Sequence, residues 1–426
     1  MKDFEKININ DGVDIISVSA DRFKTNEIAL SFIVPLKEET AASNALLAYL
    51  ISQTTKSCPE LSDFNKKLAM LYGASINAFV SKLGENQCIT IEASGLDDRF
   101  AIGDEVISEQ LFDFLCKLVF DAKLDDNGDF FEEDILREKR LLIERIESEE
   151  NDKRVFALRR LESLMFEKEP YSINKYGDKE SIEKVSSSSL KSSLDYLINS
   201  SKIQITVVGD AEINGICETA KKYFGGLNRK YVAPVSSVFI DKANDVKTVT
   251  ERMEVKQGKL VLGFRVNNQS EFEGNPEMRL FSDIFGGGPY SKLFNNVREK
   301  LSLCYYCSAR YDRRKSSVII QCGCEEENMD KAVEEILHQL EDIRKGNIDE
   351  ELSAGKMALS DAINNVSDDS ISLLSWYANQ ICDKTIISPT QSVKANQKVT
   401  KEDIVECAGL LSLDTIYKLV SKKEGE

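Results

Sequence analysis

The chain contains a single histidine, His338, and this limits the chemistry that its 426 residues can perform. A metal centre with several histidines is excluded, and we expect His338 to be a surface or boundary residue of a helix over 329–344. The sequence has no G-x-x-x-x-G-K-[ST] phosphate loop and no G-x-S-x-G nucleophile turn. The run Gly286 to Gly288 is not predicted to cradle phosphate, because no lysine follows at the required place.

Two of the close groupings among the ten cysteines could do chemistry, Cys304 with Cys307 and Cys322 with Cys324. Close cysteine doublets can hold zinc when their loops converge, so a metal or redox site stays open. We predict plain packing instead, because both groupings fall in predicted strands, where Cys304 and Cys307 would point to opposite faces. The scattered remainder favours buried small hydrophobes in a reducing compartment.

The elements that position these residues centre on the stretch 285–305. Gly286 to Gly288 are predicted to allow positive φ, and Pro289 suits a first helical position. Leu293, Phe294 and Val297 then mark one face of a helix, and a strand is expected to begin near Tyr305.

The chain repeats one pattern of elements at an offset of about 230 residues. Residues 27–34 and 259–266 both alternate apolar and polar side chains, 232 residues apart. A hairpin follows each strand, with turns near 82–85 and 312–315, and each hairpin is followed by helical stretches. This predicts an α+β fold of two homologous domains, each a mostly antiparallel sheet covered by helices on one face. We predict domains at 1–225 and 248–426, joined by a linker at 226–247.

The stretch 286–305 resembles the C-terminal half of the pitrilysin/insulinase metallopeptidase superfamily, whose motif is GGG-x-x-S-[RK]-L-F-x-x-[VL]-R-x-x-x-x-L-x-Y. The matching residues are Gly286 to Gly288, Ser291, Lys292, Leu293, Phe294, Val297, Arg298, Leu303 and Tyr305. In that family an arginine and a tyrosine with this spacing hold substrate against the zinc site. The resemblance therefore implies a substrate-binding or transition-state-binding role for Arg298 and Tyr305. The alternative, purely structural roles are a surface salt bridge for Arg298 and a half-buried strand aromatic for Tyr305.

The resemblance places a degenerate zinc motif in the first half. Catalytic family members carry H-x-x-E-H on the helix after the first strand of this unit, with a glutamate on a later helix as third ligand. Ala45, Ala48 and Tyr49 stand at the His, Glu and His positions, so no metal and no cofactor are expected. Glu144 is the candidate for the third position, and its alternative is an i,i+4 pair with Arg140.

The strand with Asn77, Ala78 and Phe79 resembles the edge strand that accepts an extended peptide in catalytic family members. Ordinary sheet packing is the preferred interpretation of this strand, because main-chain recognition leaves little trace in side-chain identity.

Composition bounds the partners and the location. The formal charge of −17 and the pI near 4.9 argue against nucleic acid or an anionic membrane as main partner. The first residues carry no apolar signal region, and no later stretch has the roughly 20 apolar residues of a membrane helix. We expect a cytoplasmic protein.

Two functional hypotheses follow. In the first, the chain is a catalytically inactive homologue that supplies Arg298 and Tyr305 to an H-x-x-E-H-bearing partner subunit, or assembles as a homodimer. In the second, it is a stand-alone peptide-binding, chaperone-like or scaffold protein. Within the superfamily it looks most like the YfmF-like proteins, which are associated with 5-aminopentanol modification of elongation factor P.

Overall fold

The computed structural model describes residues 3–240, 245–267 and 275–422. Contacts divide the chain into two compact units, and each unit collects segments from both halves of the sequence. Unit 1 comprises residues 1–146, 173–236 and 366–388, and unit 2 comprises residues 147–172, 237–365 and 389–426.

Unit 1 contains a six-stranded sheet in the order β1-β2-β6-β3-β5-β4. Its strands are β1 (Glu5–Asn10), β2 (Val13–Ser19), β3 (Thr25–Pro35), β4 (Ser75–Leu83), β5 (Asn86–Leu96) and β6 (Lys202–Gly209). Only the β2–β6 pair is parallel among these strands. The mostly antiparallel arrangement is the predicted one.

Unit 2 repeats this order without the first strand, as β7-β11-β8-β10-β9. The strands are β7 (Lys247–Met253), β8 (Lys259–Val266), β9 (Tyr306–Asp312), β10 (Ser317–Gly323) and β11 (Leu411–Ser421). The β7–β11 pair is parallel, as is the equivalent β2–β6 pair. The fold class and the internal repeat are therefore confirmed.

Helices fill the connections between strands in both halves. Those before β7 are α1 (Glu38–Ile51), α2 (Leu61–Met70), α3 (Ile107–Phe120), α4 (Glu132–Asn151), α5 (Lys153–Met165), α6 (Lys179–Glu183), α7 (Ser187–Asn199) and α8 (Ile213–Ala220). Those after it are α9 (Pro276–Gly286), α10 (Met329–Arg344), α11 (Asp349–Val366), α12 (Ser370–Ala378), α13 (Pro389–Lys398) and α14 (Lys401–Leu410). The Ser-rich run starts α7, with Ser186 as its capping residue.

The second face of each sheet is also covered by a helix, which the prediction of a single covered face did not include. In unit 1, Leu373, Leu374 and Tyr377 of α12 pack on the face that carries Ile16 and Ala29. In unit 2, Ala157 and Leu161 of α5 pack on the face that carries Val261, Ile319, Tyr417 and Leu419. The first half of the chain thus donates α5 to the second sheet, and the second half donates α12 to the first.

The triple-glycine run serves close packing rather than positive φ. Gly286 ends α9, and a Cβ there would lie 2.4 Å from the backbone nitrogen of Ala309 on β9. Gly287 has φ of −83°, and Pro289 lies in a turn ahead of the helical stretch that begins at Lys292. The predictions of positive φ here and of Pro289 as a first helical residue are wrong, because small size, not handedness, is what α9 requires against β9.

The predicted linker, 226–247, contains no helix or strand over its described residues 226–240, and β7 starts at Lys247. Residues 241–244 of this linker lie outside the described residues. The domain boundaries themselves stay a prediction.

Candidate functional site

Helix α1 carries the three positions of the degenerate zinc motif on its buried side. The acidic residues Glu38 and Glu39 occupy its first turn, where their negative charges interact favourably with the positive end of the helix dipole. Ala45 and Ala48 are fully buried, and Tyr49 is 9% exposed. Methyl groups have no lone pairs for a metal and no proton for a reaction, so the helix offers neither zinc ligand nor general base at Ala45 and Ala48.

Tyr49 belongs to a polar cluster instead of a metal site. Its hydroxyl accepts a hydrogen bond of 2.7 Å from Nη1 of Arg145, whose guanidinium lies 4.3 Å from the ring centroid. Its hydroxyl also interacts with Tyr176 and with the backbone of Val80 on β4. Burial and the neighbouring Tyr176 raise the pKa of Tyr49, so the phenol keeps its proton at neutral pH.

A buried amide network holds Tyr176 in this cluster. The side chain of Gln87 donates to the carbonyl of Lys175 at 2.6 Å and to that of Ala41 at 2.9 Å, and it accepts from Asn44 at 2.9 Å. These bonds fix the segment before Tyr176 against α1. The charge of Lys175 and hydrogen bonds from Lys175, Tyr49 and Arg145 outweigh burial and lower the pKa of Tyr176. The cluster therefore stabilises packing around α1 with two phenols and one guanidinium.

Glu144 does not join this cluster. Its side chain is exposed and lies 3.7 Å from Arg140, which is the i,i+4 pair that the sequence offered as its alternative role. The side chain of α4 that reaches Tyr49 is Arg145, one residue further along. One residue turns a helix by about 100°, which separates a core-facing position from a solvent-facing one. Alignment with the family motif therefore pointed to Glu144 and missed its neighbour Arg145.

Strand β4 lies at an edge of the first sheet, and it pairs with β5 on one side only among the described residues. Asn77 and Phe79 are exposed, and Ala78 between them is half-buried. This edge offers main-chain groups that an extended peptide can pair with.

Arg298 lies on a π-helical stretch, Phe294–Lys300, in unit 2. Of the three residues predicted to share one helical face, Leu293 and Val297 are fully buried and anchor this stretch, whereas Phe294 is half-buried. The Arg298 guanidinium lies 4.6 Å from the Phe294 ring centroid, and its Nε lies 3.4 Å from Glu299 Oε1. Because its side chain is 41% exposed, these contacts leave Arg298 accessible to a ligand. Stretches of π-helix occur often at functional sites.

Tyr305 lies just ahead of β9, and the chain turns back on the π-helical stretch to place it there. The backbone N–H of Leu303 donates to the carbonyl of Val297 at 3.0 Å, and Ser302 between the two elements has φ of 50°. The Tyr305 side chain is 63% exposed, and its hydroxyl lies 3.4 Å from Glu325 Oε1. A tyrosine that serves packing would bury its ring. Tyr305 is therefore not a half-buried strand aromatic, which was the alternative interpretation of this residue.

The cysteine groupings are placed differently from the prediction. Cys304 precedes β9 instead of lying in it, and its side chain interacts with those of both Cys307 and Cys322. The expectation that Cys304 and Cys307 point to opposite faces is wrong, because strand alternation begins only at Tyr306. His338 is an exposed residue of α10.

Over residues 3–240, 245–267 and 275–422, no group of three or more His, Cys, Asp or Glu side chains is arranged to hold a metal ion. No helix in these ranges is both long and apolar enough to span a membrane.

Comparison with known proteins finds relatives among M16-type peptidases and their inactive homologues. Residues 184–359 match the family described as "Peptidase M16 inactive domain". The chain is 29% identical over 405 residues, 94% of each chain, to "Probable inactive metalloprotease YmfF" of Bacillus subtilis. A conserved protein from Enterococcus faecalis superposes over all of both chains with a TM-score of 0.90 and 26% identity. A protease from Helicobacter pylori superposes over 98% of this chain and 99% of its own, with a TM-score of 0.81 and 16% identity.

Fold and site together define a peptidase-like protein whose metal-binding positions carry no metal ligands. Residues 184–359 are similar to the peptidase M16 inactive domain, and the chain as a whole is a homologue of an inactive metalloprotease.

Proposed function

We propose that the chain is the non-catalytic subunit of a two-chain zinc peptidase. In this assembly a homologous partner supplies H-x-x-E-H and the metal, while Arg298 and Tyr305 of this chain bind the peptide and the developing oxyanion. A second copy of this chain could not serve as that partner, because it would bring the same Ala45, Ala48 and Tyr49. A homodimer would therefore bind peptide without cleaving it.

The exposure of Tyr305 is the observation that carries this proposal. An aromatic side chain that is 63% exposed contributes little to the core, yet Tyr305 is placed by a strained turn at Ser302 and by the buried anchors Leu293 and Val297. An exposed phenol and an exposed guanidinium seven residues apart suit transition-state binding. A tyrosine hydroxyl and an arginine can stabilise negative charge on substrate without touching the metal.

Peptide cleavage by a mixture of this chain with its H-x-x-E-H homologue tests the proposal. Tyr305→Phe and Arg298→Ala should each lower kcat by about 100-fold, the usual effect of losing one oxyanion donor. Lys300→Ala is the matched control for Arg298, because it removes an exposed cation from the same stretch. Size exclusion must show equal assembly for every variant. Unchanged cleavage by both variants in an intact assembly would overturn the proposal.

The edge strand β4 favours a second candidate, a stand-alone peptide-binding or chaperone-like scaffold. Its exposed Asn77 and Phe79 flank main-chain groups that can bind an extended peptide in the absence of any partner. Binding of a fluorescent peptide by the isolated chain, weakened by a proline at Ala78 and unaffected by Tyr305→Phe, would support this function over the first.

We place either function in the cytoplasm and connect it with 5-aminopentanol modification of elongation factor P, as the YfmF-like resemblance suggests. A deletion strain whose elongation factor P keeps its normal mass would remove this connection, and would leave the peptidase proposal to the cleavage assay.

A further inference from the structure

Four cysteines of unit 2 converge at the start of β9 and the end of β10. Cys307 on β9 and Cys322 on β10 are direct register partners, and both are buried. The side chain of Cys322 also interacts with those of Cys304 and Cys324. Packing alone places thiols near other apolar groups, but it does not require that they meet one another.

The strand pairing sets the separation of Cys307 and Cys322. The backbone N–H of Val266 on β8 donates to Ser316, and the register between β8 and β10 continues without a bulge as far as Gly323. Cys322 therefore directs its backbone groups to β8, so it faces Cys307 as a non-hydrogen-bonded pair. In such pairs the Cα atoms lie about 4.5 Å apart, which is inside the range that a disulfide spans.

We expect Cys304 to be the first thiol of this group to react. It is 8% exposed and Cys307 is 6% exposed, whereas Cys322 and Cys324 are fully buried. Hydrogen bonds from Cys307 and Cys322, together with the charge of Arg298, outweigh burial and lower the pKa of Cys304 to about 4. Cys304 is therefore a thiolate at neutral pH, and the thiolate is the reactive form of cysteine. The pKa values of Cys307 and Cys322 are raised, chiefly by their hydrogen bonds to Cys304, so these thiols stay protonated.

We propose that Cys304, Cys307 and Cys322 form a redox-sensitive thiol site, at which a hydroperoxide drives formation of a Cys307–Cys322 disulfide. This is a modification site in addition to the proposed peptidase function.

The chemistry needs the hydroperoxide as its only oxidant. The Cys304 thiolate attacks one peroxide oxygen, the O–O bond breaks, and the leaving oxygen takes a proton to become water or an alcohol. The Cys322 sulfur then attacks the Cys304 sulfenic acid, forming a disulfide and releasing water. Finally the Cys307 thiolate, its proton having passed to solvent, attacks the Cys322 sulfur and expels Cys304 as a thiolate. Two thiols and one hydroperoxide thus give one disulfide, one water from the sulfenic acid, and one further water (from hydrogen peroxide) or alcohol (from an organic hydroperoxide).

Peptide mapping of the purified full-length chain tests the site, because trypsin releases the two cysteine pairs on separate peptides. Cleavage after Lys300 and Arg310 releases residues 301–310 with Cys304 and Cys307, and cleavage after Lys315 and Lys331 releases residues 316–331 with Cys322 and Cys324. After treatment with hydrogen peroxide and blocking of free thiols, we expect these two peptides to be joined, fragmentation of the joined pair to assign the bond to Cys307 and Cys322, and a dithiol reductant to separate them. Peptides that stay separate, or a disulfide within either one, would overturn the proposal.

Variants distinguish the roles of the cysteines. Cys322→Ser should abolish the cross-link, and Cys307→Ser should stop the reaction at the Cys304–Cys322 disulfide, which joins the same two peptides. Cys304→Ser should slow formation of the Cys307–Cys322 disulfide by about tenfold or more, because the reactive thiolate is lost. Cys217→Ser is the matched control, because Cys217 is more accessible than Cys304 and its pKa is raised by burial. Cys322→Ala guards against loss of folding in the serine variant. Faster oxidation at Cys217 than at Cys304 would contradict the proposal.

The pH dependence of alkylation distinguishes a reactive thiolate from a cysteine that serves only packing. Between pH 8 and pH 6 iodoacetamide should modify Cys304 at a nearly constant rate, since its pKa lies below this range. Cys217 should slow by about tenfold per pH unit, because its thiolate fraction falls with pH. A tenfold fall per unit at Cys304, or a tightly bound zinc that protects the thiols until chelated, would overturn the assignment. These readouts use the isolated chain, so their failure would leave the peptidase proposal standing.

Discussion

At the residue scale, one position of the degenerate zinc motif, Tyr49, belongs to a cluster of interacting polar groups, while Ala45 and Ala48 are buried apolar residues. The guanidinium of Arg145 lies over the ring of Tyr49, and Tyr176 completes the cluster from the other side. A metal site in the same place would need anionic or neutral ligands, and Arg145 brings a positive charge to it. Two side chains beyond the motif, Arg145 and Tyr176, therefore also occupy this place with groups unsuited to holding zinc.

This arrangement predicts what is needed to restore a zinc site. The triple variant Ala45→His, Ala48→Glu, Tyr49→His should bind no zinc tightly, because Arg145 repels the ion and Glu144 points to solvent. Adding Arg145→Glu should give about one equivalent of bound zinc, because it supplies a carboxylate in place of the repelling charge. Zinc per folded chain, measured by atomic emission after dialysis, checks both variants.

The comparison with Glu144 decides the assignment. In the triple background, Arg140→Glu places a carboxylate on the exposed face of the same helix and should leave zinc binding absent. Tight zinc in the triple variant that disappears on Glu144→Gln would mean that Glu144, and not position 145, supplies the third ligand.

Prediction from the sequence succeeded for residues whose position a motif defines. It failed where the side of a helix or strand that a residue faces had to be determined. The resemblance placed Ala45, Ala48 and Tyr49 on a helix, and spacing placed Leu293, Phe294 and Val297 on one helical face, of which Leu293 and Val297 are fully buried. It missed Arg145, because a motif count cannot resolve a rotation of one residue about the helix axis. It also mispredicted the direction of Cys304, because strand ends are the least certain part of a sequence-based assignment.

At the element scale, the repeat was predictable, but the exchange of α5 and α12 was not. Alternating apolar residues mark β3 and β8 as equivalent strands, and this information is local. The apolar face of α5, with Ala157 and Leu161, shows that the helix must be covered without showing which sheet covers it. That choice depends on contacts far apart in the sequence, such as those of Leu161 with Val261 and Tyr417.

A buried ionic network fixes the donated segment of the first half to the second sheet. Glu169 accepts hydrogen bonds from Arg265 at 2.9 Å and from Lys315 at 2.6 Å, and Arg265 also donates to Asp414 at 2.9 Å. Glu169, Arg265 and Lys315 are almost fully buried, so water cannot solvate their charges if a partner is removed. Removing one partner of such a network leaves a buried charge uncompensated.

Glu169→Gln should therefore lower the free energy of unfolding by about 3–5 kcal/mol. The side chain keeps its size and one acceptor oxygen, so the loss reflects charge rather than volume. Urea unfolding followed by circular dichroism measures the change. Glu180→Gln is the matched control, since its pair with Lys184 is exposed and should leave the unfolding midpoint unchanged. Equal midpoints for the two variants would show that the network does not anchor the segment.

At the scale of the whole molecule, the two compact units do not coincide with the two halves of the sequence. Residues 147–172 pack in unit 2, and residues 366–388 pack in unit 1. Each half of the chain consequently lacks the helix that covers the second face of its own sheet. The apolar residues on those faces, such as Val208 in unit 1 and Ile319 in unit 2, would meet water if the halves were separated.

The chain cut between Ser236 and Ser237 should therefore fold only when both pieces are present. The piece 237–426 would lose α5 and Glu169 together, which exposes one sheet face and leaves Arg265 and Lys315 without their shared carboxylate. The piece 1–236 would lose α12 from its first sheet. Expressed alone, each piece should show no cooperative thermal transition, whereas co-expressed pieces should co-elute and unfold cooperatively.

A chain with a flexible Gly/Ser insertion at the same place, uncut, controls for local damage. It should unfold close to the natural chain, because lengthening an exposed connection costs little loop entropy. If either isolated piece unfolded cooperatively near the midpoint of the intact chain, its sheet would not need the exchanged helix. The reciprocal donation of α5 and α12 would then be a packing detail rather than the feature that makes the two halves of the sequence one folding unit.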